Sequence, residues 1–223
     1  MMMIREARME DIAACAALQA SYATQAVWQV RREGDPREAG EVTQGGPLIS
    51  LLVQQVRLPQ KRLIPLPSAM TPLERVWECF DARLVAVDDE GDEAPDDALH
   101  EHQVSKPGGP LGDEPPVLSH VRGVALLQVL PDQQQAMIAR LLVDQPARGQ
   151  GTGTALLRAA RRWAAAEGFV ALLAHVPLRN VPGIAFYLRR GFRVCGLHEH
   201  FYPTREDALL LVRGGVIAVM SDE

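Results

Sequence analysis

Hydrophobic and polar positions fall into two repeating patterns, strand-like and helix-like, and between them they predict most of the chain. Ile4–Arg8 reads as a short opening strand, and a helix follows with Asp11 as its N-cap and Cys15, Leu18 and Tyr22 on one face. Ile49–Leu58 has strand character and is expected to end at Pro59. Thr71 is placed to cap a short helix near Leu73–Cys79, with Pro72 at its first position and Glu74 reaching back. Arg83–Val87 is a further strand. Beyond residue 120 the pattern sharpens. Gly123–Val129 and Ala136–Val143 are apolar strands, and Pro131-Asp132 between them predicts a hairpin. Gly153–Glu167 reads as an amphipathic helix. Its Leu156, Leu157, Ala160, Trp163 and Ala164 face inward, Arg158, Arg161 and Arg162 face out, and Gly168 stops it. Phe169–Val176 is the next strand. Pro182–Arg190 is a second helix closed by Gly191, and Phe192–Leu197 and Ala208–Arg213 are closing strands.

Two segments resist this reading. Residues 29–80 are interrupted by Gly34-Asp35-Pro36, Gly40 and Gly45-Gly46-Pro47, and resemble nothing that can be placed. Residues 88–119 open with seven acids in ten residues and continue with Pro and Gly, which predicts a mobile, solvated insertion. The 223 residues are read as one domain, 1–223, carrying both segments.

Composition narrows the function classes. Apolar residues make up 47% of the chain, enough for a sizeable core, and aromatics only 5%, so aliphatic side chains must fill it. A net charge of −5 argues against a general nucleic-acid binder. The three cysteines, Cys15, Cys79 and Cys195, are scattered, form no CxxC pair and read as reduced thiols. The first residues are charged and lack an apolar signal core, and no stretch approaches the roughly 20 apolar residues of a membrane span. A cytoplasmic protein that binds neither nucleic acid nor membrane is expected. His198 and His200 alternate along one strand edge but have no suitably spaced third ligand, so no metal is expected.

Candidate chemistry concentrates in residues 143–157, where a strand runs into a Gly-rich turn that opens a helix. Glycines let the backbone approach a ligand and adopt positive φ. The first amides of the helix then form an anion site, with Arg148 adding charge at its edge. A phosphate or pyrophosphate is the expected ligand. A tight turn without ligand has the same pattern. The segment lacks the Gly-Lys-Ser/Thr ending of a P-loop, and it lies too late in the chain for a Rossmann turn.

Arg148-x-x-Gly151-x-Gly153 resembles the coenzyme A pyrophosphate signature of the GNAT superfamily of N-acetyltransferases. Downstream, Asn180-x-x-Gly183-Ile184-x-x-Tyr187-x-x-x-Gly191-Phe192 resembles that superfamily's Asn…Tyr…Gly-Phe pattern. The likeness is firm over residues 121–213, fair over 3–27 and 83–87, and absent over 29–80 and 88–119. Phe201-Tyr202-Pro203…Glu206-Asp207-Ala208 is similar to the corresponding hairpin of ribosomal-protein N-terminal acetyltransferases.

The resemblance implies an α/β (α+β) fold. Its mixed, mostly antiparallel sheet would be flanked by helices, with two splayed strands forming the coenzyme A cleft. It implies acetyl-CoA as cosubstrate and a primary amine, on a small molecule or a protein N-terminus, as acceptor. A homodimer is compatible with it. Leu141, Leu142 and Val143 would pair with the pantetheine arm. Arg148, Gly149, Gln150, Gly151, Thr152, Gly153 and Thr154 would cradle the pyrophosphate, and a backbone amide near Leu142–Val143 would meet the oxyanion. Asn180 would bond the pantetheine arm or cap its helix. Tyr187 would protonate the leaving thiolate or simply pack in the core.

The base is less defined. Ala136–Val143 has no carboxylate, and Arg140 is its one charged residue. His175 stands five residues before Asn180, where the N-terminal acetyltransferases carry a glutamate, and an unperturbed imidazole titrates near 6.5. His175 is therefore the candidate base, against a structural role. The missing carboxylate keeps open a coenzyme A-binding module without catalysis.

Overall fold

The computed structural model describes residues 2–18, 21–33, 50–67, 72–88 and 120–214. Nine strands are described: β1 (Met2–Glu6), β2 (Ser21–Glu33), β3 (Ser50–Pro65), β4 (Ala82–Asp88), β5 (Val121–Leu130), β6 (Gln135–Val143), β7 (Ala171–Pro177), β8 (Arg193–His198) and β9 (Ala208–Gly214). Seven form one sheet in the order β1-β4-β5-β6-β7-β9-β8, while β2 and β3 pair separately. Every described pairing is antiparallel except β6 with β7. The helices are α1 (Asp11–Ala17), α2 (Leu73–Val76), α3 (Thr152–Ala166) and α4 (Val181–Leu188). No described helix is long and apolar enough to cross a membrane.

Each face of the sheet has its own apolar layer. Leu157, Ala160 and Ala164 of α3 and Ile184 and Tyr187 of α4 pack on Leu127, Ile138, Leu172, Ala174 and Val176. On the opposite face Cys15, Leu73 and Trp77 pack on Val85, Val87, Val124, Leu126 and Leu142. These are largely aliphatic contacts, as the scarcity of aromatics requires. Burying one such aliphatic side chain contributes roughly 1.5–3 kcal/mol. Arg5 ties β1 to α1 through a two-pronged pair with the fully buried Asp11, at 2.6 and 2.9 Å.

Several expectations shift. The opening strand lies two residues earlier, at Met2–Glu6. Asp11 is the first residue of α1, and its carboxylate accepts from the Arg8 amide at 2.7 Å. Helix α1 ends before Tyr22, which is buried on β2. Pro59 does not end its strand. The register steps from Thr24↔Arg62 to Ala26↔Arg57, so residues 58–61 stand outside the ladder and the missing N–H of Pro59 costs no ladder bond. Part of the unplaced segment is thus the second arm of a long hairpin. Thr71 and all of the acidic insertion except Asp88 lie outside the described residues; Asp88 pairs with Arg122 at 2.8 Å. Arg161 is half-buried rather than outward-facing, and its Nε has no hydrogen-bond partner.

Candidate active site

The site begins as a defect in the sheet. Ala139 is an extra residue in β6, because Leu126 pairs with Arg140 and Leu127 with Ile138. A bulge of this kind bends a strand and re-aims its side chains. Accordingly Ile138 packs on the α3–α4 face, and Leu142 packs on the opposite one. Parallel pairing between β6 and β7 runs from Gln135↔Ala171 to Ile138↔Ala174 and stops there. Past that point β7 stays paired with β9 as far as Pro177↔Ala208. The two strands therefore part into a V. The V is lined by Leu66, residues 138–142, residues 175–177, Asn180, Tyr187 and Tyr202, around a cavity of about 50 Å³. Leu141, Leu142 and Val143 supply backbone to one arm.

At the end of that arm the chain turns into α3. Gly149 and Gly151 hold φ of +79° and +91°, the left-handed region in which a side chain is strained. The Thr154 and Ala155 amides bond back to the Gly151 carbonyl. The amides ahead of them are those a helix leaves without internal partners, and they carry its positive dipole end. Gly153 has a separate reason to be small: a Cβ there would lie 3.3 Å from the Phe186 ring of α4. Thr152 is buried, with its hydroxyl on the Ala147 carbonyl. Thr154 accepts from Arg190 Nε at 3.1 Å, which links α3 to the end of α4. The Gln150 side chain donates through Nε2 to the Pro146 carbonyl at 2.7 Å. Arg148 folds back on the protein, donating to the Val143 carbonyl at 2.9 Å and to the Ser21 carbonyl at 2.7 Å. Its charge stays at the loop while its geometry fixes β6 and β2.

Across the V, Asn180 caps α4, its Oδ1 accepting from the Gly183 amide at 2.9 Å. It lines the cleft as well, so the cap and a ligand contact are compatible. Tyr187 is 6% exposed and packs edge-on against Phe186 and Phe192. Burial raises its pKa well above the ordinary phenol range, so the hydroxyl keeps its proton.

His175 is in a different situation from the one its spacing suggested. The ring is stacked on Phe201 with centroids 4.0 Å apart, and Nδ1 lies 3.1 Å from the Met137 sulfur. Burial, and then the neighbouring His198, lowers its pKa to about 4. Its protonation therefore falls well below the range, roughly 6–7.5, expected for a catalytic histidine. Arg140 also lines the V. It is half-buried opposite Leu126, and its pKa is lowered by desolvation. Among the described residues no three His, Cys, Asp or Glu side chains converge as metal ligands.

The fold adds residues to which spacing gave no role. Strand β2 spans the mouth of the V: the Ser21 carbonyl holds Arg148, and the Trp28 amide donates to the Leu178 carbonyl at 3.0 Å. Tyr22 lies between those anchors. From the other side, the β8–β9 connection brings in Tyr202, whose hydroxyl donates to the His175 carbonyl at 3.0 Å, and Glu206, which accepts from the Arg179 amide at 3.2 Å. Tyr22 and Glu206 are 184 positions apart, and no local pattern could have joined them.

Comparison with known proteins agrees with this architecture. Residues 74–192 match the model of the "Acetyltransferase (GNAT) family". No curated protein matches the chain in sequence. The fold is similar to that of nourseothricin acetyltransferase, at 21% identity and a TM-score of 0.66, over 96% of this chain and 98% of that one. It is similar to a Bacillus anthracis protein described as a streptothricin acetyltransferase, solved with acetyl coenzyme A, at 17% identity and TM-score 0.59, over 96% and 99% of the two chains. It is also similar to the ribosomal-protein-S18-alanine N-acetyltransferase of Escherichia coli, at 15% identity and TM-score 0.55, over 100% and 99%. The splayed β6–β7 pair, the Gly-rich opening of α3 and a family match covering more than half the chain lead to one conclusion: this chain belongs to the GNAT family of acetyltransferases.

Proposed function

We propose that the protein transfers the acetyl group of acetyl-CoA directly to a primary amine, on a small molecule or at a protein N-terminus. The observation that carries this is the V itself. Past Ile138 the β6 edge is no longer paired with β7, it leads directly into the glycine turn that opens α3, and the buried, protonated Tyr187 lines the cleft between the two strands.

The division of labour follows from the chemistry. The β6 edge at Leu141, Leu142 and Val143, no longer paired with β7, takes the pantetheine amides as a further strand would, with the Val143 carbonyl already held by Arg148. The amides from Gly149 to Thr154, across Gln150, Gly151, Thr152 and Gly153, take the pyrophosphate, and Arg148 holds that loop in place. Asn180 orients the arm from the opposite side. Fixing thioester and amine together supplies much of the acceleration by removing translational and orientational freedom. A backbone amide at Leu142–Val143 meets the developing oxyanion. Tyr187 gives its proton to the departing thiolate. Solved neighbours of the fold include enzymes named for a small molecule and for a protein alanine, and both acceptor classes fit this reading.

The test is release of coenzyme A from acetyl-CoA against a panel of primary amines and free-N-terminal peptides. Acetylation of at least one acceptor, identified by mass, is the expected result. Tight coenzyme binding with no turnover across the panel would support the non-catalytic module instead.

A further inference from the structure

An amine that is to attack a thioester arrives in water as ammonium and must lose a proton. Strand β6 offers only Arg140, and the His175 imidazole, stacked on Phe201 with its pKa lowered to about 4, is a weak proton acceptor. Among the described residues, one sheltered carboxylate stands where the β7 arm of the V turns towards α4. The Glu206 side chain is 10% exposed. Its Oε1 accepts from the Arg179 amide at 3.2 Å, while the Arg179 guanidinium stands 3.9 Å away and is itself 61% exposed. That cation is loosely held and leaves the carboxylate available to a second positive charge.

The charged and titratable groups facing Glu206 are Arg179 from the β7–α4 turn, Asp207 beside it, Tyr22 from β2 and Tyr202 from its own connection. Tyr202 in turn lines the V together with Tyr187. Burial, the largest effect, raises the Glu206 pKa above the ordinary carboxylate range; the Arg179 amide and guanidinium oppose it. Tyr22 adds an independent observation. Its ring is 6% exposed, and its hydroxyl has no hydrogen-bond partner. Buried hydroxyls are rarely left so, and an orphan on the strand that fastens both arms of the V points to a ligand that completes it.

Resting on the acetyl-transfer reading above, we propose that Glu206 and Tyr22 form the acceptor's amine subsite, with Glu206 as the proton acceptor. The ammonium pairs with the Glu206 carboxylate and donates a second N–H to the Tyr22 oxygen. One proton passes from nitrogen to the carboxylate, leaving a neutral amine and a carboxylic acid. The nitrogen lone pair forms the C–N bond, and the tetrahedral adduct collapses with cleavage of the C–S bond. The thiolate takes the Tyr187 proton, and the second proton of the acetylated nitrogen restores that phenol. Glu206 returns its own proton to solvent, so the balance is ammonium plus acetyl-CoA to amide, coenzyme A thiol and one proton.

The test compares the wild type with Glu206→Gln and Tyr22→Phe, using the best acceptor of the amine panel. Glu206→Gln keeps an oxygen for the Arg179 amide but cannot take a proton. Its kcat/KM for the amine should fall about 10²-fold near pH 7, with unchanged acetyl-CoA affinity. The loss should shrink as pH rises and the amine deprotonates in solution. The wild-type profile should lose activity towards acid through a group above the usual carboxylate range, a limb missing from Glu206→Gln. Tyr22→Phe deletes a hydroxyl that makes no bond in the free protein, so the fold is retained. KM for the amine should rise about fivefold, the size of one ordinary hydrogen bond. Identical pH profiles for wild type and Glu206→Gln overturn the role of Glu206 while leaving acetyl transfer intact. Should Glu206→Gln fail to fold, an unchanged amine KM in Tyr22→Phe overturns the subsite. A wild type that acetylates no amine overturns the acetyl-transfer reading, and the subsite with it.

Discussion

A phenol surrounded by Phe186, Phe192 and the apolar face of the sheet keeps its proton, because ionising it would place a charge where no water can reach. That property suits Tyr187 to give a proton to a thiolate. Tyr187→Phe removes the hydroxyl and little else. It should lower kcat about 10²-fold and leave acetyl-CoA affinity unchanged, as steady-state and single-turnover kinetics would show. His175 illustrates the opposite effect of burial. Its pKa is about 4 in the fold against 6.5 in the unfolded chain, so below pH 6.5 the unfolded state binds the extra proton. Stability should therefore fall as pH drops from 6.5 towards about 4. His175→Gln should flatten that part of the Tm-versus-pH curve while the acid limb of catalysis stays as in wild type. Movement of the catalytic limb in His175→Gln would return the imidazole to the role of base.

At the scale of elements, the unit that matters is β6, the glycine turn and α3. Gly151 sits at φ +91° with nothing within 4 Å of the place a Cβ would take, so a side chain there meets strain and no clash. A left-handed non-glycine residue costs about 1–2 kcal/mol. If the loop relaxes in the free protein, Gly151→Ala should weaken acetyl-CoA binding about tenfold by that strain alone. Gly151→Asp adds a carboxylate facing the phosphates and should abolish binding measurable by calorimetry. Equal affinities for the two variants would mean that no anion sits at this loop. The β2–β3 hairpin acts differently. It contributes no predicted coenzyme contact, yet the Ser21 carbonyl and the Trp28 amide fasten it to both arms of the V.

Across the whole molecule, the proposed ligand would bridge parts that are distant in sequence: β6, the start of α3 and the start of α4. Binding to the folded state alone stabilises by mass action, by about 2.7 kcal/mol at a hundred times Kd. For a chain of this size that corresponds to a rise in Tm of roughly 5–10 °C with acetyl-CoA. Gly151→Asp should show none, while Tyr187→Phe should keep it in full. A rise retained by Gly151→Asp would place the ligand elsewhere.

Local physics explains which parts of the molecule were legible in the sequence. The β5–β6 hairpin, α3 with its Gly168 stop, and α4 between Asn180 and Gly191 each follow from apolar period, capping and positive φ, which need no distant partner. The glycine turn into α3 was legible for the same reason: a strand, glycines and a helix start are contiguous. Tyr22 reads as part of the first helix but lies on β2, because a helical period and a strand alternation both bury it and the choice lay with β3. Pro59 misled because a bulge excuses a missing N–H only when the partner strand has been seen. The environment of His175 was equally hidden. Its spacing to Asn180 fixed a position on β7, but Phe201, Met137 and His198, brought in by other segments, decided that the ring is stacked and neutral. The sequence by itself determined what contiguous residues can build, the glycine turn that opens α3 and the helix that carries Tyr187. Tertiary structure alone decided what meets at the arms of the V, because the burial and charge around Tyr22 and Glu206 are set by chain segments far apart in sequence.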